Sequence, residues 1–237
     1  MKQDKLSEIR KNITTPAGKE GKSACNRCMT CCAKGGPALH MADMPLITSG
    51  KINGRFLFTI RKGEIADDNV KGGLVNTDTD IIKVKSKEGS DVCLFADFNG
   101  KSCSIYDHRP LECRALKCWD TAEIEAVYNK DRLTRKDIVG HIEGLWELVQ
   151  EHQEKCSFLK IKRILEENPG KIEGEALGEL LEIVQYDISI RALVVEKTGT
   201  DKAYLPFLFG IPLKQILKKL GIEFKKKTDS VSSVAFD

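Results

Sequence analysis

The sequence predicts an α+β fold, in which a small cysteine-rich α+β part is followed by a mostly helical C-terminal part. Eight of the nine cysteines lie between residues 25 and 118, among short apolar segments separated by Gly-Gly and Asn-Gly turns, which favour strands. From about Arg135 onward, apolar residues recur at helical spacing. A chain of 237 residues is long enough to bury a hydrophobic core.

The composition is that of an ordinary globular protein. Charged residues make up 31% and hydrophobic residues 41%, and the net charge of +3 does not by itself indicate a nucleic-acid partner. The first residues are polar or charged, and no apolar run reaches the roughly 18–20 residues of a membrane span. We therefore expect a cytoplasmic protein without a signal peptide. Thiols stay reduced in that compartment, so dense cysteines favour a metal over disulfides.

The first half is predicted to contain short elements. Residues 4–11 are expected to form a short helix, and Asp43 to cap a second one over residues 44–48. Residues 80–85 are rich in β formers and are predicted to be a strand, and residues 55–60 are predicted to be a strand with a short helix as the alternative.

An Asn-Gly turn at residues 99–100 predicts a β-hairpin. Its arms are predicted at residues 92–95 and 104–106, so that Cys93 lies before the turn and Cys103 after it. A hairpin with one thiol on each arm can present two ligands to one ion.

Helices dominate the predicted second half. Pro110 suits the first position of a helix over residues 111–119, and another is predicted over residues 122–129. Residues 176–194 have the apolar periodicity of a long amphipathic helix, and residues 213–220 of a short basic one. Asn168-Pro169-Gly170 is predicted to end the helix that precedes it.

The densest feature of the chain is a group of four cysteines within eight residues. These are Cys25, Cys28, Cys31 and Cys32, and they are followed by Cys93, Cys103, Cys113, Cys118 and Cys156. Cysteines that only pack act as small hydrophobes, whereas a C-x2-C-x2-C run lets several sulfurs converge on one centre. The pattern therefore predicts a thiolate-ligated zinc ion or iron–sulfur cluster.

Ligand counting leaves one centre or two open. A centre needs about four ligands, so the eight thiols between residues 25 and 118 suffice for either. The adjacent Cys31 and Cys32 are predicted to point apart, by about 100° on a helix or about 180° on a strand. Cys113 and Cys118 would differ by about 140° on an unbroken helix. A break in that helix, or a second centre, would be needed for both to be ligands.

Three segments together resemble a known family. They are Cys25-x2-Cys28-x2-Cys31-Cys32, Cys93-Leu94-Phe95, and Lys101-Ser102-Cys103-Ser104-Ile105-Tyr106-Asp107-His108-Arg109-Pro110-Leu111-Glu112-Cys113-Arg114. This ordered set resembles the YkgJ-type cysteine-cluster family, also described as the CxxCxxCC zinc- or iron-chelating domain, over roughly residues 20–120. The resemblance implies a metal-chelating domain with ligands drawn from Cys25, Cys28, Cys31, Cys32, Cys93, Cys103 and Cys113. Cys118 lies beyond the family motif and completes our candidate set.

The remaining residues are expected to have structural roles. Cys156 lies in an apolar helical setting and is predicted to be a core residue. We do not expect His40 or His108 to bind metal, and we expect His141 and His152 to face solvent.

Three functional hypotheses follow. The first is a cytoplasmic protein with a thiolate metal centre in a redox, metal-handling or accessory role, with an iron–sulfur cluster slightly favoured over Zn²⁺. The second is a cluster-dependent protein-modifying enzyme, because the flagellin lysine methylases carry a similar cysteine domain. The third is a structural zinc module that binds a protein or nucleic acid through the basic C-terminal residues. We expect a protein partner rather than nucleic acid, and leave open whether the chain is an enzyme.

The predicted organisation has three parts. Residues 20–120 form the cysteine-cluster metal-binding domain, and residues 121–225 form a helical region that either stands alone or shares the core of the first. Residues 226–237 are predicted to be a disordered tail.

Overall fold

A computed structural model describes residues 25–68, 72–227 and 230–236, with side chains described up to residue 222. The helix expected over residues 4–11 lies outside these ranges. Within them the chain combines helices with small antiparallel sheets, which confirms the predicted α+β class.

The first sheet confirms two predicted strands. Strand β1 (Leu57–Ile60) pairs antiparallel with β4 (Ile81–Val84), with Leu57 opposite Val84. Strands β2 (Ile65–Asp67) and β3 (Leu74–Asn76) form a ribbon between them in the chain, which the sequence analysis missed. Three-residue strands are too short to show a clear periodicity.

The predicted hairpin is present, but its strands are shorter than expected. Strand β5 (Ala96–Asp97) pairs with β6 (Ser102–Cys103). The backbone N–H of Ala96 donates to the carbonyl of Cys93 at 3.0 Å, which makes a tight turn. The predictions of strands over residues 92–95 and 104–106 are therefore wrong, because the paired residues lie nearer the turn and Tyr106–His108 form a 3-10 helix, so Cys93 precedes its hairpin arm.

Three short helices belong to the same half of the chain. They are α1 (Met44–Thr48), α2 (Leu111–Ala115) and α3 (Ala122–Val127). Helix α2 ends four residues earlier than predicted, because Leu116 adopts an extended conformation. The helix break that would let Cys113 and Cys118 point in similar directions is thus present.

The second half is helical, as predicted. Its first four helices are α4 (Arg135–Val139), α5 (Leu145–Lys155), α6 (Phe158–Glu167) and α7 (Gly174–Thr198). Helix α6 ends at the predicted Asn-Pro-Gly stop. Helix α7 ends at Gly199, whose φ of 65° is the left-handed conformation that glycine adopts readily.

The chain then forms α8 (Leu205–Phe209) and α9 (Leu213–Lys219). A last sheet has the order β7 (Lys171–Ile172), β9 (Ser230–Phe236) and β8 (Ile222–Lys227), and all its pairs are antiparallel. This differs from the disordered tail expected from residue 226, because backbone pairing with β7 and β8 gives the final segment a place in a sheet.

Two hydrophobic cores are formed by the buried residues. The first joins both halves of the chain and includes Met29, Leu39, Ile52, Leu57, Ile82, Val84, Cys93, Ala96, Leu133, Val139, Val149, Val194, Leu205, Phe207, Leu208 and Phe209. The second lies in the helical half and includes Cys156, Phe158, Ile161, Ile164, Ile172, Leu177, Leu180, Ile183, Val184, Leu213, Leu217 and Ile222. Within the described ranges, none of the helices has the combined length and apolar character that crossing a bilayer requires.

Helix α8 is held in the first core by its own C-terminal carbonyls. The hydroxyl of Thr59 donates to the carbonyl of Phe207 at 2.6 Å. Arg135 Nη1 donates to the carbonyl of Leu208 at 2.8 Å, and Arg191 Nη2 donates to that of Phe209 at 2.9 Å. The last carbonyls of a helix have no partner within it, so side chains from three other elements satisfy them here.

Candidate metal centre

The cysteine-rich loop at residues 25–32 is shaped by an unusual backbone. Arg27 and Met29 have φ values of 53° and 63°, which non-glycine residues rarely adopt. Met29 is only 6% exposed and anchors the loop in the first core. The four cysteines of this loop are therefore held near the first core by the buried side chain of Met29.

Cys31 and Cys32 place their sulfurs side by side. Their Sγ atoms lie 3.8 Å apart, so the prediction that the two side chains point apart is wrong. Two sulfurs bound to one tetrahedral ion at about 2.3 Å are separated by about 3.8 Å. The spacing therefore suits two ligands of the same ion.

Cys93 and Cys103 join this pair from the hairpin region. The backbone N–H of Cys93 donates to the carbonyl of Cys32 at 2.7 Å, so the two segments lie against each other. Cys103 lies on β6, and its thiol acts electrostatically on those of Cys32 and Cys93.

Cys113 on α2 completes the group. The charges of the other four thiols all act on the Cys113 thiol, so the five thiols lie within electrostatic range of one another. We call Cys31, Cys32, Cys93, Cys103 and Cys113 the inner cysteine group. They come from the loop, the hairpin region and α2, so only the folded chain brings them together.

Burial and mutual repulsion keep several of these thiols protonated. Burial raises the pKa of Cys32 to about 12, and the neighbouring Cys31 adds to the shift. Burial likewise raises the pKa of Cys93 and of Cys113, and the other sulfurs of the group add to both shifts. Closely spaced thiols with raised pKa values stay protonated in the absence of a metal. A bound metal cation can stabilise them as thiolates, so they form a suitable set of ligands.

The other three candidate ligands lie on the surface. Cys25, Cys28 and Cys118 are exposed, and we call them the outer cysteines. Cys28 Sγ lies 3.3 Å from the hydroxyl of Thr30, and Cys25 Sγ accepts from the N–H of Arg27 at 3.4 Å. Their membership of the ligand set stays a prediction.

Arginines surround the edge of the cysteine region. The guanidinium of Arg109 lies 3.8 Å from the ring centre of Tyr106, and that of Arg27 lies 4.7 Å from it. Arg114 donates to the carbonyl of Arg109 at 2.7 Å. These three arginines are thus held by Tyr106 and by the backbone beside α2.

A buried polar network next to Cys113 was not predicted. Asp43 lies at the start of α1 but makes no capping bond there. Its Oδ1 instead accepts from the N–H of Leu111 at 2.8 Å, and its Oδ2 from the N–H of His40 at 3.0 Å. Glu112 accepts from the N–H of Ala38 at 2.7 Å, and its other oxygen lies 3.3 Å from His40 Nε2.

His40 connects this network to a further segment. Its Nδ1 lies 2.6 Å from the carbonyl of Lys130, and the residue is fully buried. Burial opposes protonation, but the hydrogen bonds to Glu112 and to the Lys130 carbonyl outweigh it and raise the pKa of His40. Both ring nitrogens are engaged, in accord with the expectation that His40 does not bind metal.

A second polar cluster lies in the helical half, and it corrects the prediction that His152 faces solvent. His152, Cys156 and Asp187 are buried, and their candidate ligand atoms all lie within 4.8 Å of one another. His152 Nε2 is 2.8 Å from Asp187 Oδ1. The buried position of Cys156 confirms that it is a core residue. The cue that was missed is Asp187, an acidic residue on the apolar face of α7.

Asp187, the charged member of this second cluster, has hydrogen-bond partners at both carboxylate oxygens. Asp187 Oδ1 also accepts from Arg191 Nε at 2.9 Å, and Oδ2 accepts from the N–H of Leu213 at 3.0 Å. Arg61 is fully buried and donates to the carbonyl of Cys156 at 3.1 Å. Two guanidinium groups beside the cluster disfavour an added cation, so we assign it a structural role.

Burial and neighbouring charges together set the protonation states in this cluster. Burial lowers the pKa of His152 to about 4, and Arg61 and Arg191 add to the shift against the opposing effect of Asp187. Burial would raise the pKa of Asp187, but the His152 hydrogen bond and Arg191 lower it. At neutral pH, His152 is therefore neutral and Asp187 is charged.

Comparison with known families supports the first cluster. Residues 24–133 match the family described as "CxxCxxCC: Putative zinc- or iron-chelating domain". The match includes all eight candidate ligands and excludes Cys156, and it confirms the resemblance stated above. No curated protein and no solved structure matches the chain.

Proposed function

We propose that this chain binds a single zinc or iron ion through four thiolates of the inner cysteine group, because residues 24–133 match the model of a zinc- or iron-chelating domain. The observation that carries this proposal is that thiols from three separate segments lie within electrostatic range of one another, with the sulfurs of Cys31 and Cys32 3.8 Å apart. Four such ligands complete a tetrahedral site. A zinc ion would stabilise the fold, and an iron ion would also carry one electron.

The spacing of Cys31 and Cys32 favours one ion over a cubane cluster. In a cluster with four irons, each iron takes one cysteine, so sulfurs on different irons are farther apart than one tetrahedral edge. The 3.8 Å between these sulfurs suits a shared ion. An iron–sulfur cluster, which the sequence slightly favoured, is the alternative that the experiment below must distinguish.

The proposal includes a cytoplasmic location and a protein partner. Reduced thiols persist in that compartment, and the inner group needs all its thiols reduced to bind metal. Cys31 and the outer cysteines lie at the exposed edge of the site. We propose that a partner contacts this edge in metal handling or electron transfer.

The test is metal and acid-labile sulfide analysis of protein purified without oxygen. We expect about one zinc or iron per chain and no sulfide, with a lower metal content in Cys113→Ser because three thiolates bind more weakly than four. Cys156→Ser is the matched control, because this thiol is buried outside the matched domain. Unchanged metal content in Cys113→Ser would contradict the ligand assignment, and iron with equimolar sulfide would replace the single ion by a cluster.

A further inference from the structure

Helix α2, which carries Cys113, is too short to be stable by itself. It has five residues, and helices of that length are not stable in water without tertiary contacts. Pro110 lies at its N-cap position and supplies no side-chain acceptor. The position of Cys113 must therefore be set by groups outside the helix.

Asp43 supplies the missing cap from another segment of the chain. Its carboxylate accepts from the N–H of Leu111, the first residue of α2. That N–H has no partner within a helix, and negative charge at a helix N-terminus is favourable. Arg114 Nη2 lies 3.9 Å from the same carboxylate oxygen.

Glu112 holds the helix from the residue directly before Cys113. The N–H of Ala38 and the ring of His40 engage its two oxygens. The segment that supplies these partners is itself fixed, because the N–H of Leu39 donates to Ile82 on β4 at 2.8 Å and the N–H of Leu133 donates to Leu39 at 2.9 Å. The segment that contacts Glu112 is thus held on both sides by backbone hydrogen bonds.

We propose that His40, Asp43 and Glu112 form a latch whose role is to position Cys113 as a metal ligand. This inference rests on the proposed function, since it takes Cys113 as one of the four thiolates. The latch residues do not bind the metal themselves. They act by setting where α2 lies relative to the sulfurs of the loop and the hairpin region.

The test is a double-mutant cycle read by the cobalt-substituted protein. The sulfur-to-cobalt charge-transfer band reports the number of bound thiolates, so Cys113→Ser should remove about a quarter of it in the wild-type background. Asp43→Ala should produce a similar loss. Adding Cys113→Ser to Asp43→Ala should then change nothing further, because Cys113 has already left the metal.

The matched control is Asp80→Ala. Asp80 is buried and holds Arg135 through two bonds of 2.6 and 3.0 Å, so its loss lowers stability without touching the latch. In this background Cys113→Ser should keep its full effect. Asp43→Asn should restore part of the band, because its amide oxygen can still accept from Leu111. Should Asp43→Ala not fold, Glu112→Ala and Glu112→Gln provide the same comparison.

The outcomes separate the two proposals. If Cys113→Ser leaves the cobalt band of the wild type unchanged, the ligand assignment fails. If it removes the same fraction of the band in the wild-type and Asp43→Ala backgrounds, Cys113 binds metal without the latch, and this inference alone is overturned.

Discussion

The two buried histidine networks use the same residue types in opposite electrostatic settings. His40 faces the carboxylates of Glu112 and Asp43, and its pKa is raised. His152 also contacts a carboxylate, but burial, together with the charges of Arg61 and Arg191, lowers its pKa to about 4. A histidine–carboxylate pair therefore has no fixed charge state, because burial and the other groups that face the ring decide it.

The two networks also differ in what they connect. The network of His40 fixes a five-residue helix that carries a candidate ligand. That of His152 ties α5 to α7 and, through the N–H of Leu213, to α9. The first is expected to affect the metal centre and the second the stability of the helical half.

Replacing Asp187 should have the largest effect on stability. Asp187→Ala leaves Arg191 buried without its carboxylate, which typically costs about 3–5 kcal/mol. Urea unfolding should show this loss, whereas Glu166→Ala, in an exposed pair with Lys162 on α6, should change the unfolding free energy by less than about 1 kcal/mol. A small effect of Asp187→Ala would mean that the second network does not stabilise the fold.

Acid should destabilise the protein through His152. Its pKa is about 4 when folded and 6.5 ordinarily, so between these values the unfolded chain binds a proton that the folded chain does not. Stability should fall as the pH drops from about 6.5 to about 4, by up to about 1.4 kcal/mol per unit. Unfolding of His152→Gln should lack this component, and exposed His141→Gln should retain it. Parallel pH profiles for wild type and His152→Gln would contradict the assignment.

A smaller loss is expected from Gly36→Ala, beside the cysteine loop. An added Cβ would lie 2.3 Å from the carbonyl oxygen of Val84, so β4 would have to move. We expect a cost of about 1–3 kcal/mol, measured by thermal or urea unfolding. Gly50→Ala is the control, because its Cβ would meet nothing within 4 Å and only its φ of 73° opposes the change. Equal costs would show that crowding at Gly36 is relieved without strain.

The smallest effect should be a gain in the helical half. Gly178 is exposed within α7, and an added Cβ meets nothing within 4 Å. Gly178→Ala should raise the unfolding free energy by about 0.5–1 kcal/mol, because alanine loses less backbone freedom on folding. A decrease in stability would show that this exposed face is more constrained than its contacts indicate.

Sequence periodicity was enough to predict the longer elements. Strands β1 and β4, the Asn-Gly hairpin and the long α7 follow from local β propensity, turn chemistry and amphipathic spacing. The end of α2 was not predicted, since nothing local explains why Leu116 becomes extended. The ribbon of β2 and β3 is too short for its pattern to be distinctive.

Buried polar residues were the main failure of the sequence analysis. His152 was expected to face solvent because glutamates surround it in the sequence, but its partner Asp187 is 35 residues away. Asp43 was expected to cap α1, yet its carboxylate caps α2 from 68 residues away. Such pairings depend on tertiary structure. The cysteines could be identified as candidate ligands from the C-x2-C-x2-C run and the family resemblance, but their division into inner and outer groups could not be predicted.

The hydrogen bonds that hold the carbonyls of α8 in the first core have a consequence for folding during synthesis. During synthesis, residues 24–133 leave the ribosome well before residues 205–209, which supply four side chains of the first core. The nascent cysteine region therefore waits with an incomplete core and reduced thiols until the last helices emerge. A chain cut after residue 133 would remain in that condition, and metal supplied early would meet a site whose supporting core has not yet formed.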